Sequence, residues 1–549
     1  MAVHDLHSIA FPKLDEAQVV ELARCTTATP KLYRDGQTLF SVGDRNFKFH
    51  VIKSGEVEIV DYSGDVPKTV TVHRTGGFTG DISHLTGNPA VVSGVARGDA
   101  EVYEISGDAL RRVLNQCPTV SDIILQAFIA RRQLLRQSSE FIGLRVIGSR
   151  YSQDTFRVRD FLAKNHVLFT WTDLETDPEV DKVLKQFSVT EADTPVIACS
   201  SMLLLRNPSN RELAERIGIL HPLDRTVYDL VVVGAGPAGL AAAVYGASEG
   251  LRTAVLERTA PGGQAGTSMR IENYLGFPTG VTGNELTDRA ILQANKFGAR
   301  ISVPSPVTRL TFEKTYCIVH LDGEESVTAK CLLIATGVDY RRLSVEGEQE
   351  FEGRGLYYAA TPTEAQMCRG VEVVLVGGGN SAGQAAVFLA GHASKVLLLI
   401  RGNDLYKDMS SYLARRIEQI ANIEVLTNTT IRRMSGNGQL GSVEMLNDKT
   451  GQERTVQTPA VFTFIGAVPR TDWLPTEIER DNKGFIRTGA ALAQSPHWSF
   501  ARQPFLLETS RPGVFAAGDV RSDSIKRVAS AVGEGAMAVK FVHEYLKEM

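Results

Sequence analysis

The chain has 549 residues, 43% hydrophobic and 22% charged, with a formal net charge of −4. That length exceeds a single hydrophobic core and predicts several domains; the charge gives no electrostatic case for nucleic acid or an anionic membrane surface. No stretch approaches the ~20 consecutive apolar residues of a transmembrane helix, and Met1-Ala2-Val3-His4-Asp5 lacks the blocks of a secretory signal, so a cytoplasmic protein without membrane or nucleic-acid partners is expected. Cysteines at 25, 117, 199, 317, 331 and 368 form no C-x-x-C pair and no metal-ligand spacing. They read as reduced thiols, and no metal is expected.

Residues 30–113 read as β-rich. Runs such as Phe49-His50-Val51-Ile52, Val57-Glu58-Ile59-Val60 and Thr69-Val70-Thr71-Val72 are separated by the turn signals Ser54-Gly55, Ser63-Gly64-Asp65 and Gly76-Gly77. Regular spacing of this kind predicts a small barrel or jelly roll. A helix over Val120–Gln137 follows, with Ile123, Ile124, Ala127 and Phe128 interleaved with Arg131, Arg132 and Arg136. Residues 143–220 then read as a small α/β unit: strands at 144–147 and 167–171, a further strand led by 194–197, a helix over 156–164 and a last helix over 211–217.

Two glycine-rich turns dominate the remainder. Gly234-Ala235-Gly236-Pro237-Ala238-Gly239 follows the apolar run 228–233, and Gly377-Gly378-Gly379-Asn380-Ser381-Ala382 follows 371–376. Each reads as strand, tight turn and helix, which lets backbone N–H groups and a helix N-terminus approach a pyrophosphate. Two such units imply two dinucleotides in one molecule. Glu257 ends the strand after the first turn, where a carboxylate accepts from ribose hydroxyls. Arg401 ends the corresponding strand of the second unit, and an arginine there suits a 2′-phosphate; NADPH is expected, with NADH left open.

Pro261-Gly262-Gly263-Gln264, Ile271-Glu272-Asn273-Tyr274, Ala335-Thr336-Gly337 and Ala516-Ala517-Gly518-Asp519-Val520 together resemble the FAD-binding landmarks of low-molecular-weight thioredoxin reductases, and the likeness spans residues 226–549. The resemblance implies FAD contacts from Gly263, Gln264, Asn273, Thr336, Gly337, Gly518 and Asp519. It implies a second flavin-contacting segment at Lys526-Arg527-Val528, although those residues differ from the family's. Ile465-Gly466 resembles the stretch where the chain recrosses between the two domains, which places Gly466 beside the nicotinamide dinucleotide with Gly377, Gly379, Asn380, Ser381 and Ala382. The family's second arginine, next to Arg401, is here Gly402.

In the resembling enzymes a C-x-x-C dithiol just upstream of the second turn takes electrons from the flavin. That register holds Ala360-Thr361-Pro362-Thr363 here, with no sulfur. Glu364, in the place of the family's acid, is then expected at the surface, and Cys368 as a small buried filler. Residues 143–220 resemble a thioredoxin or glutaredoxin fold, with Thr194-Pro195 at its cis-proline and Ser152-Gln153-Asp154-Thr155 in place of its dithiol. Residues 20–115 resemble a cyclic-nucleotide-binding domain whose phosphate cassette lies at 78–93. There Asp81 matches the ribose-binding acid, but the phosphate-binding arginine is replaced by Ala90. A ligand-free docking or oligomerisation module and a cyclic-nucleotide sensor both fit.

The expected fold is multidomain: a cyclic-nucleotide-binding-like β-barrel or jelly roll with its helix (1–140), a thioredoxin-like α/β domain (141–221), an FAD domain (226–345 and 468–549) and an interleaved NAD(P)H domain (346–467), the last two Rossmann-like. The expected function is NAD(P)H oxidation through FAD, with electrons leaving the flavin for an external acceptor: ferredoxin, flavodoxin, another small redox protein, quinone, small disulfide or oxygen. Thioredoxin reduction through a partner or remote thiol, and a redox- or nucleotide-responsive scaffold, are the alternatives. The resemblance also implies a homodimer and a hinge motion between the two dinucleotide domains.

Overall fold

The computed structural model describes residues 3–549 apart from 46, 63–66, 82, 138–143, 179, 200–202, 269, 324, 494 and 499. Ile82 of the cassette and the expected domain start at 141 therefore lie outside the described residues.

Two short helices, Val3–Ala10 and Glu16–Thr26, precede the barrel. Asp15 caps the second through a reciprocal pair with Gln18. The barrel is a five-stranded antiparallel sheet built from Pro30–Tyr33, Thr38–Phe40, Phe49–Asp61, Lys68–His73 and Ser93–Ile105. The two runs expected on either side of Ser54-Gly55 are one continuous strand, Phe49–Asp61. Gly55 is a bulge rather than a turn: its φ is +83°, the register shifts on both sides of Ser54, and a Cβ there would lie 2.4 Å from the Asp99 carbonyl oxygen. Helices Gly107–Gln116 and Pro118–Gln137 close the barrel around Phe49, Phe78, Leu110, Ile124 and Phe128.

The small α/β unit has four strands in the order Phe169–Thr172, Leu144–Ile147, Val196–Cys199, Leu203–Arg206, the first pair parallel and the others antiparallel. Helices Gln153–Lys164 and Asn210–Ile217 pack on this sheet through Val158, Phe161, Leu162 and Leu213. The Thr194–Pro195 peptide is cis.

The first dinucleotide unit is a seven-stranded sheet in which Tyr228–Val233 lies between Thr253–Leu256 and Ser326–Ile334, all parallel. Both faces of Tyr228–Val233 are covered: Leu230 and Val232 pack against the helices Pro237–Ser248 and Val528–Glu548, and Val231 and Val233 against the opposite layer. Burial on both sides explains why this strand reads as an unbroken apolar run. The second unit repeats the plan with five parallel strands, Glu372–Val376 central between Val461–Thr463 and Lys395–Ile400. The chain crosses between the units twice, and the crossings pair as an antiparallel ribbon, Val338–Tyr340 against Ala467–Pro469. No helix among the described residues is long and apolar enough to cross a membrane.

Candidate cofactor-binding site

Both glycine turns open onto one cleft of about 1210 Å³ between the two dinucleotide units. At the first turn the chain must reverse from strand to helix in three residues. Gly234 does so at φ +104°, where a Cβ would meet the Ala335 carbonyl oxygen at 2.3 Å. The helix starts at Pro237, with proline at its first position and Gly236 as N-cap without a side-chain partner. Its terminal N–H groups thus remain free for a ligand. A Cβ on Gly236 would find nothing nearer than the Gly263 Cα at 3.9 Å, so the glycine leaves open space on the cleft side. Gly239 lies beneath the turn rather than on the wall; its Cβ would strike the Gly234 carbonyl oxygen at 1.9 Å.

Glu257 accepts from the Ala235 N–H (2.8 Å) and the Thr259 N–H (3.0 Å), which aims its carboxylate across the turn. Gln264 donates to the Val338 carbonyl at 2.8 Å, and the Thr336 hydroxyl donates to the Arg470 carbonyl at 3.0 Å, tying the wall to the crossing ribbon. The Gly518 N–H donates to Glu534 at 2.7 Å, and Arg521 pairs with the same carboxylate at 2.5 Å. Asp519 sits on the wall, where burial holds its carboxyl above the ordinary aspartate range against the opposing pull of Lys526. Arg527 and Val528 open the 21-residue helix Val528–Glu548 at the same wall.

The second turn follows the same logic. A Cβ on Gly377 (φ +147°) would lie 2.5 Å from the Phe464 carbonyl oxygen. Asn380 spends its side-chain oxygen on the Ser410 N–H at 2.7 Å, so it shapes the loop opposite as well as lining the cleft. Gly379, Ser381, Ala382 and Gly466 line the same space. Arg401 is exposed at the end of Lys395–Ile400, faces the cleft and has no ion-pair partner among the described residues.

Asn273 is the departure. It does not line the cleft. The loop carrying it is closed by a bridge between Ile271 and Val281, and the neighbouring Glu272 reaches Arg416 of the second unit at 3.4 Å. Wall residues that the sequence did not disclose include Arg470, which pairs with Asp339 at 2.6 Å, and Lys164, which comes from the small α/β unit. Neither has a local motif; each arrives through long-range packing.

The segment at the dithiol register also lines the cleft, through Ala359 and Ala360, and no described cysteine does. Glu364 is buried, not exposed as expected. It is 3% exposed, and it accepts from the Thr361 N–H at 2.7 Å and from the Thr361 hydroxyl. The carboxylate caps the first turn of its own helix, Pro362–Met367, and burial raises its pKa. Cys368 is fully buried, its thiol pushed up to about 12 by desolvation. At the corresponding place in the small unit, Ser152 accepts from the Thr155 N–H at 3.2 Å as a helix cap.

That small unit spans both dinucleotide units. From the start of helix Gln153–Lys164, Gln153 donates to the Glu352 carbonyl at 3.1 Å and the Phe156 ring lies 5.9 Å from Tyr357. Just past its end, Asn165 donates to the Thr259 carbonyl at 2.9 Å. In the barrel a second cavity of about 310 Å³ is lined by Asp81 and Ala90. Its guanidinium comes from helix Pro118–Gln137 instead of the cassette: Arg131 is buried and donates to the carbonyls of Ala10 (2.7 Å), Gly80 (2.5 Å) and Phe78 (2.9 Å). On sequence alone Arg131 was one of three interleaved arginines, with nothing to mark it.

Residues 228–535 match the family described as pyridine nucleotide-disulphide oxidoreductase, and residues 30–117 match the cyclic nucleotide-binding domain. The thioredoxin reductase of Bacillus subtilis is 33% identical over 327 residues, covering 59% of this chain and 97% of that protein. That of Treponema pallidum is 35% identical over 322 residues, covering 58% and 98%. Among solved structures, Lactococcus lactis thioredoxin reductase in its FR conformation aligns with a TM-score of 0.53 at 28% identity, over 59% of this chain and 100% of that one. T. acidophilum thioredoxin reductase aligns at 0.52 and 29% identity, over 58% and 99%.

Proposed function

Because the chain belongs to the pyridine nucleotide-disulphide oxidoreductase family, we propose that it is an NADPH-dependent flavoprotein whose electrons leave for an acceptor outside the chain, with no dithiol at the flavin cleft. It is an oxidoreductase, and its cofactors are FAD and NADPH. The observation that carries the proposal is that both glycine turns open onto one cleft, whose wall at the dithiol register holds Ala360 and no sulfur.

The residues present fit FAD. Gly236 leaves the open space a pyrophosphate needs, no side chain caps the start of helix Pro237–Ser248 beside it, and the Glu257 carboxylate stands at the strand end where ribose hydroxyls donate. When bound, FAD supplies a two-electron acceptor that can also release electrons singly. Around it, the chain's own tasks are positional. The two turns hold two dinucleotides by backbone N–H groups, Gln264 and Thr336 fix the wall to the crossing ribbon, and Arg401 offers an unpaired guanidinium to a 2′-phosphate. Asn273, being off the wall, is assigned no contact.

The relatives named above are thioredoxin reductases, which favours a second reading, thioredoxin reduction through a partner thiol. Against it, segment 352–357, just before the dithiol register, is in contact with the chain's own small α/β unit. An acceptor screen on the NADPH-reduced holoprotein separates the readings. Turnover with a one-electron protein carrier or quinone, and none with thioredoxin, supports the first. Turnover confined to thioredoxin and abolished by thiol alkylation contradicts it.

A further inference from the structure

The fold brings together two cysteines that are 92 residues apart. The sulfurs of Cys25 and Cys117 lie 3.0 Å from each other. Cys25 is partly exposed in the last turn of helix Glu16–Thr26, and Cys117 is the buried C-cap of helix Gly107–Gln116, fixed by its N–H to the Val113 carbonyl at 2.9 Å. Both helix ends are held in the barrel's core by Leu22, Leu110, Val113 and Val120, so the encounter is built into the packing and does not depend on a mobile tail. An S–H group is a weak donor and its partner a weak acceptor. Shortening the contact by about 1 Å gives the 2.05 Å separation of a disulfide.

We propose that Cys25 and Cys117 form a redox couple, a dithiol that closes to an intramolecular disulfide when the protein meets hydrogen peroxide or a small-molecule disulfide. Cys25 reacts first because an oxidant can reach it; burial, with the neighbouring Cys25 thiol, pushes the Cys117 thiol up and suppresses its thiolate. With peroxide, the Cys25 thiolate takes one oxygen as a sulfenic acid and releases the first water, and Cys117 then displaces the second water to form the S–S bond. Two thiols and one peroxide give one disulfide and two waters. With a small disulfide, Cys25 forms the mixed disulfide and releases one thiol, and Cys117 displaces the other.

The disulfide would close a loop around the whole barrel and pin helix Glu16–Thr26 to the corner at Cys117. That corner adjoins the first dinucleotide unit, where Asn115 donates to the Lys296 carbonyl at 3.2 Å. The test treats the FAD-loaded full-length protein with hydrogen peroxide or oxidised glutathione, blocks remaining thiols under denaturing conditions and maps the peptides. Two fewer labelled thiols than in the untreated protein are expected, with Cys25 and Cys117 in one cross-linked peptide and a mass lower by two hydrogens. C25S, altered at the partly exposed partner, should lose no thiol pair. The proposal is overturned if both cysteines remain fully labelled, if glutathione stays on Cys25 unresolved, or if the loss of two thiols persists in C25S. Wild-type peptide mapping decides by itself if C25S fails to fold.

Discussion

At the scale of single residues, Gly234 and Gly236 of the first turn do different work. Gly234 carries the fold: an alanine there must accept φ +104° and a carbonyl 2.3 Å away. Gly234→Ala should therefore cost about 1–3 kcal/mol, read as a lower thermal midpoint even without FAD. A Cβ at Gly236 meets nothing nearer than the Gly263 Cα at 3.9 Å, so Gly236→Ala should leave the apoprotein midpoint nearly unchanged while weakening FAD retention, read from the flavin-to-protein absorbance ratio. Arg401 tests the choice of nicotinamide. Hydrogen bonds to charged groups contribute roughly 1.5–3 kcal/mol, so Arg401→Ala should raise KM for NADPH about 10-fold or more and leave that for NADH almost untouched. Glu364 tests burial. Its folded pKa is raised, so the folded state binds the proton more tightly than the unfolded chain does. The stabilisation is complete below the unfolded carboxylate value and is lost as pH rises through the folded one. Glu364→Gln should flatten that decline in a series of thermal midpoints between mildly acidic and neutral pH.

At the scale of elements, legibility followed how local the cause was. Strands Tyr228–Val233 and Glu372–Val376 were readable because burial on both faces leaves an unbroken apolar run, and the turns after them because glycine alone meets their steric demands. Strand Phe49–Asp61 was divided in two because Ser54-Gly55 has turn composition, whereas the pairing of Ser54 with Glu101 and of Glu56 with Arg97, between which the register shifts, lies more than forty residues away. The same distance problem hid Glu364, whose exposure depends on what packs over helix Pro362–Met367, and Arg131, which reaches the barrel carbonyls of Phe78 and Gly80 from a different element. Helix Gln153–Lys164 was readable as a helix but not as a bridge, since its contact from Gln153 to Glu352 joins residues 199 apart. Phe156→Ala should remove about 2 kcal/mol of apolar burial from that contact. Amide hydrogen exchange at 353–357 should rise, while exchange in Tyr228–Val233 stays as it was.

At the scale of the whole molecule, two dinucleotide units share one cleft, and a small α/β unit touches both of them across its edge. The loss of sulfur at Ala360–Thr363 and the helix-capping serine at Ser152 both favour the proposed reading, in which no thiol at the cofactor cleft carries electrons away from the flavin. The measurement that tests this most directly is an anaerobic NADPH titration of the FAD-loaded C25S protein, followed by flavin absorbance. That variant removes the Cys25–Cys117 pair from the electron count. One NADPH per FAD should bleach the flavin completely, because the flavin is the sole two-electron centre. A requirement for two NADPH per FAD would reveal a second centre and contradict the account, as would a flavin that stays oxidised.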